Sequence, residues 1–118
     1  MIARVWKGAV RKEDSEAYSA YMQETGVAGY AKTAGNRGVW MLRRDVGERT
    51  EFMMFTLWDS LAAVKAFAGD EYERAVFYPE DERFLVEREL TSTHYEVDTH
   101  VEPIDPLRSS SRPSPDPR

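Results

Sequence analysis

The chain has no cysteine. That excludes disulfides, thiolate nucleophiles, iron–sulfur ligation and cysteine-based zinc sites together. It has no apolar run near the roughly 18 residues a membrane-spanning helix needs. Positive charge is short: 16 Lys and Arg stand against 21 Asp and Glu, for a net charge of −5. A nucleic-acid binder needs a basic face to displace counterions, so nucleic acid is not an expected partner. The opening Met1-Ile2-Ala3-Arg4 lacks the basic-then-apolar plan of a signal peptide, so the expected location is the cytoplasm. Histidine is scarce, with only His94 and His100. Proline is scarce in most of the chain, since five of the six prolines fall within residues 103–118.

That last asymmetry divides the chain. Residues 1–100 are expected to form one folded domain, because two cores in 118 residues would each be too small to hold themselves. Residues 101–118 read as a flexible Pro/Ser-rich tail, or one that docks on a neighbour. The stretch Ser109-Ser110-Ser111-Arg112-Pro113-Ser114-Pro115 offers nothing for a core.

Within the domain the pattern alternates strand and helix. Residues 2–10 predict a strand through Val5, Trp6 and Val10. Residues 14–25 predict a helix started by Asp14 or Ser15, striped by Ala17, Tyr18, Tyr21 and Met22, and stopped by Gly26. A glycine-bearing loop follows, then a strand over 39–46. The short turn Gly47-Glu48-Arg49 leads into a strand over 51–58. In that strand Phe52, Met53, Met54, Phe55 and Leu57 leave no wet face, so it should be central and covered on both sides. Helices can cover one side; a second subunit is the natural cover for the other. Asp59-Ser60 caps a helix carrying Leu61, Val64 and Phe67, closed by Gly69. A short helix over 70–76, a break at Phe77-Tyr78-Pro79, one more turn over 80–86 and a last strand over 89–98 complete the order. The expected fold class is α+β, a ferredoxin-like βαββαβ unit with a four-stranded antiparallel sheet, its first and third strands central.

The run Phe55-Thr56-Leu57-Trp58-Asp59-Ser60, with Ala63 and Phe67 after it, resembles the antibiotic biosynthesis monooxygenase superfamily. So do Gly35-Asn36-Arg37-Gly38 before the second strand and His94-Tyr95-Glu96-Val97 at the end. The resemblance spans about residues 1–98. It implies a dimeric α+β barrel, in which the open sheet faces of two copies meet and each ligand pocket lies between sheet and helices. It also implies either cofactor-independent oxygenation of aromatic polyketides or haem degradation. The haem-degrading set of Asn, Trp and His falls here near Lys7, on Phe67 and on Phe77, so none is kept. Of the oxygenase set of Asn, Trp, Tyr and Arg, Trp58 is kept, while Met54, Val64 and Tyr78 stand at or near the other positions.

Oxygenation without a cofactor requires a base to form a carbanion, a donor to hold the enolate oxygen and a water-poor pocket. His94 is the candidate base, or else a strand histidine at a sheet edge or dimer seam. Trp58 and Tyr78 are the candidate polar handles; Trp58 equally suits a core anchor, and Tyr78 the packing of the break before Pro79. Tyr18, Tyr21, Met22, Met54, Phe67, Tyr72 and Phe77 are the candidate pocket wall. Arg37 could hold an anionic or carbonyl oxygen, though a solvated turn arginine is commoner. The carboxylates Asp70-Glu71 and Glu80-Asp81-Glu82 read as wet-surface charge, and His94 with His100 make no metal site at helical spacing. The sequence therefore supports three readings. The first is a homodimeric monooxygenase or aromatic-ligand binder with no cofactor. The second is a non-enzymatic dimeric binding or stress protein, and the third a haem carrier ligated by His94.

Overall fold

The computed structural model describes residues 1–103. Strand β1 (Ile2–Arg11) runs up the middle of an antiparallel sheet. A short 3-10 turn leads into α1 (Ser15–Met22), a π-helical turn (Gln23–Val27) and α2 (Ala28–Ala31). Strands β2 (Asn36–Val46) and β3 (Arg49–Trp58) form the hairpin expected around Gly47, whose φ of 61° suits the turn. Then come α3 (Leu61–Ala68), an irregular stretch, α4 (Asp81–Phe84), β4 (Leu85–Arg88) and β5 (Thr93–Glu96). The sheet order is β2-β3-β1-β4, with β5 continuing the β4 edge of β1. The α+β ferredoxin-like class and the central β1 and β3 are as the sequence predicts.

Three local readings need correction. The first helix does not stop at Gly26. Glycine ends a helix when its backbone turns left-handed, and Gly26 has no positive φ; it is buried inside a widened π-turn. The stripe continues through it, Tyr18, Met22, Gly26 and Tyr30 all being buried four residues apart. Residues 70–76 are not helical; turns and an isolated bridge between Arg74 and Thr91 replace the helix. Of the strand expected over 89–98 only β5 is formed, and β4 appears before it, partly where a helical turn was expected, giving five strands instead of four. As the sequence predicts, the helices cover only one face of β3 within a single copy of the chain.

That one-sidedness follows from strand alternation. Thr50, Phe52, Met54, Thr56 and Trp58 face the helices and are buried, as are Arg4, Trp6 and Val10 of β1. Met53, Phe55 and Leu57 lie on the opposite, half-buried face, where β2 adds Trp40 beside Phe55 and Leu42 beside Met53. On the helix side, Ser60 caps α3 by accepting the Ala63 N–H, and Gly69 closes it at a φ of 86°. Beyond residue 103 the expected tail lies outside the described residues. Among those described, no helix is long and apolar enough to cross a membrane.

Candidate functional site

The space between sheet and helices is where an aromatic ligand would sit, and side chains fill most of it. Trp58 is fully buried at the end of β3, 5.6 Å from the Phe67 ring and 6.1 Å from that of Tyr30. Its indole N–H donates to the Thr56 hydroxyl at 2.8 Å, and that hydroxyl donates to the Arg4 carbonyl. The polar end of Trp58 is therefore satisfied inside the protein.

Arg4 lies on the helix-facing side of β1 and is 2% exposed. No carboxylate pairs with it among the described residues. Its guanidinium donates to the carbonyls of Tyr72 and Arg74, sits 2.9 Å from His94 Nε2 and lies over the Phe67 ring at 5.9 Å. Guanidinium only donates, so Nε2 of His94 accepts and the ring proton belongs on Nδ1. Burial, then the Arg4 charge, hold the His94 pKa below the ordinary imidazole value, and the ring stays neutral at neutral pH. Tyr72 stands edge-on to it at 5.1 Å.

A residual cleft of about 10 Å³ remains beside this cluster, room for one water. Its walls include Trp6, Tyr18, Met22, Tyr30, Met54, Phe77, Tyr78 and Asp81. Asp81 is 3% exposed, contrary to its reading as wet-surface charge. One carboxylate oxygen accepts the Tyr78 N–H; the other accepts only a long 3.4 Å bond from the Tyr18 hydroxyl. Burial pushes the Asp81 carboxyl up against the lowering pull of those donors and of Arg88. Burial likewise raises the phenols of Tyr18, Tyr30 and Tyr78, so all three remain protonated donors. The Tyr78 hydroxyl packs on Gly29, where a Cβ would come within 2.7 Å of it. Tyr21 lies just outside the cleft, its hydroxyl accepting the Glu80 N–H.

The expected residues thus separate into groups. Tyr18, Met22, Met54, Phe77 and Tyr78 line the cleft. His94, Tyr72, Phe67 and Trp58 cluster around Arg4 and Tyr30, one layer away. Arg37 is not brought in; it is exposed at the start of β2 and pairs with Asp59. Arg4, Tyr30 and Asp81 went unnoticed in the sequence. Arg4 shares the parity of Trp6 and Val10 along β1, and Tyr30 lies at the helical repeat of Tyr18, so both left a signal. Asp81, within Glu80-Asp81-Glu82, left none.

The cluster can supply a neutral imidazole, phenol donors and one buried carboxyl at an aromatic wall. It does not fit a haem ligated by His94, because Arg4 occupies Nε2 of that residue.

No known protein-family model matches the chain, and no curated protein matches it in sequence. Its fold does match solved structures. A protein of Bacillus cereus described as a candidate antibiotic biosynthesis monooxygenase superposes with a TM-score of 0.62 at 15% identity, over 88% of this chain and 97% of that one. A substituted form of MhuD, with two manganese protoporphyrin IX molecules bound per active site, superposes with a TM-score of 0.55 at 17% identity, over 87% of this chain and all of that one. At these identities the likeness is one of fold, and at that level it bears out the resemblance carried by Trp58-Asp59-Ser60.

Proposed function

We propose that the chain is a homodimeric α+β-barrel protein of the antibiotic biosynthesis monooxygenase type, taking a small aromatic, polyketide-like ligand between its sheet and helices. The observation that carries this is the convergence of Tyr18, Tyr30, Tyr78, Ser92 and buried Asp81 on a cleft whose other side chains are apolar or aromatic. Dimerisation is supported by the open sheet face, where Trp40, Leu42 and Tyr95 are exposed beside half-buried Phe55 and Leu57. Entry of a ring requires the irregular segment bearing Val76, Phe77 and Tyr78 to move aside.

The activity to be tested is oxygenation without a cofactor. A base removes a proton from an activated CH₂, a phenol donor holds the enolate oxygen, and the carbanion passes an electron to dioxygen. One oxygen atom becomes the new carbonyl and the other leaves as water with the two substrate hydrogens. In this reading neutral His94 is the base, which requires it to part from Arg4 and the ligand to reach past the cleft into the layer that holds His94; Tyr78 is the oxyanion donor, and Trp58 keeps the wall rigid. The experiment is dioxygen uptake with an anthrone, followed by electrode. Uptake abolished in His94→Ala supports the reading; an unchanged rate in that variant removes His94 from the chemistry.

A second reading, a non-enzymatic dimeric binding or stress-response protein, is favoured by one observation: Arg4 already occupies the His94 lone pair. Ligand binding with no dioxygen uptake would select it.

A further inference from the structure

The buried carboxyl of Asp81 has no part in the oxygenation scheme, and the core serves its two oxygens unequally. A carboxylate offers about four lone-pair directions. Here one oxygen takes the Tyr78 N–H, and the other takes only the 3.4 Å contact from Tyr18. No lysine or arginine pairs with it at ion-pair distance among the described residues, and it is 3% exposed. An underused acceptor buried this deeply is costly unless something donates to it. Asp81 forms part of the wall of the one-water cleft, alongside apolar Trp6, Met22, Met54 and Phe77.

We infer that Asp81 is the specificity-determining acceptor of this site, and that the ligand class is a neutral aromatic ring bearing a hydroxyl group. The hydroxyl donates to the weakly served Asp81 oxygen, replacing a water, while the ring displaces Phe77 and lies against Met22 and Met54. An ether or quinone oxygen at the same place would face a carboxylate with no hydrogen to give. The Tyr18 phenol does not reverse this preference, because its hydrogen is directed at Asp81. The inference rests on the aromatic-ligand reading above and adds to it which functional group is read and by which side chain.

The test uses a matched pair of probes, 1-naphthol and 1-methoxynaphthalene, titrated into the full chain with binding read from protein NMR shifts. The expected result is naphthol binding at least about tenfold tighter, the factor a charge-assisted hydrogen bond supplies. In Asp81→Asn the amide oxygen keeps the Tyr78 N–H and the amide nitrogen turns its hydrogens to the cleft, so the preference should vanish or invert. Equal affinity of the two probes for the unsubstituted chain overturns the inference and leaves the aromatic-ligand reading standing. Binding of neither probe overturns both. Should Asp81→Asn fail to fold, Tyr18→Phe decides: naphthol preference kept or increased supports Asp81 as the reader, and preference lost assigns the role to the Tyr18 hydroxyl instead.

Discussion

Arg4 and His94 are register partners in adjacent strands, and the guanidinium of one lies 2.9 Å from Nε2 of the other. A buried cation thus faces a ring that can itself become a cation. The pairing holds only while the ring is neutral, and it ties β5 to β1 by side chains as well as backbone.

A pH dependence of stability follows. The folded pKa of His94 lies below the ordinary 6.5, so between the two values the unfolded chain binds more protons than the folded one. The stabilisation is complete above 6.5 and is lost as the pH falls from there through the folded value. Thermal unfolding should therefore show a lower Tm at pH 5.5 than at 7.5. His94→Gln should flatten that difference; an equally steep fall in the variant would place its origin elsewhere. Asp81 acts in the opposite sense, its raised carboxyl favouring the fold at the acidic end, and should offset part of the loss at lower pH.

Arg4 is the staple for the irregular stretch after α3. Its guanidinium satisfies the Tyr72 and Arg74 carbonyls together, a span no ammonium reproduces. Arg4→Lys should cost about 2 kcal/mol, and Arg4→Met more, since it leaves both carbonyls without their donor. Urea unfolding measures this. A loss below about 0.5 kcal/mol in Arg4→Met, the range of ordinary surface changes, would show the staple to be dispensable.

The open sheet face should be the dimer seam. Trp40 is 47% exposed and meets Phe55 edge-on at 5.8 Å. Trp40→Glu puts a charge on the edge strand of that face, with little to disturb inside one copy. Sedimentation equilibrium should find a dimer for the unsubstituted chain and a monomer for the variant, with helical content unchanged.

Gly35 bears on the entrance to β2. Its φ is 89°, and a Cβ there would come within 2.6 Å of the Ala63 Cβ on α3. Its carbonyl accepts the Asp59 N–H at 2.8 Å, locking the start of β2 to the end of β3. Gly35→Ala should destabilise by about 2 kcal/mol, combining left-handed strain with the clash. Gly47→Ala, a turn with open space around it, isolates the strain and should cost only about 1–2 kcal/mol.

Legibility from sequence followed the range of the interactions. The β3 run Phe52 to Trp58, the Ser60 cap and the Gly69 stop are local signals, and they place the hairpin, α3 and the open face correctly. Gly26 misled because its composition says stop while the four-residue spacing from Tyr18 to Tyr30 says continue, and burial decided for the spacing. β4 went unread and the last strand was drawn too long, because both are set by how they pair with β1 and not by their own residues. Among the cleft residues, Tyr18, Met22, Met54, Phe77 and Tyr78 announced themselves, and Tyr30 did not. Arg4 and Asp81 did not, because a charged residue is read as wet until something nonlocal buries it, and their partners lie 68 and 63 residues away.

The central position of β1 bears on the order in which the molecule can assemble. This strand pairs with β3 across its full length, yet its other edge waits for β4 and β5, and Ile2 finds its partner at Glu96. The β2–β3 hairpin closes locally and can form early. The hub of the sheet cannot be completed until nearly the last described residue has left the ribosome. Until then one edge of β1 stays unpaired beside an apolar sheet face. Pairing over so long a separation slows folding, and the unpaired edge is exposed to aggregation in the meantime.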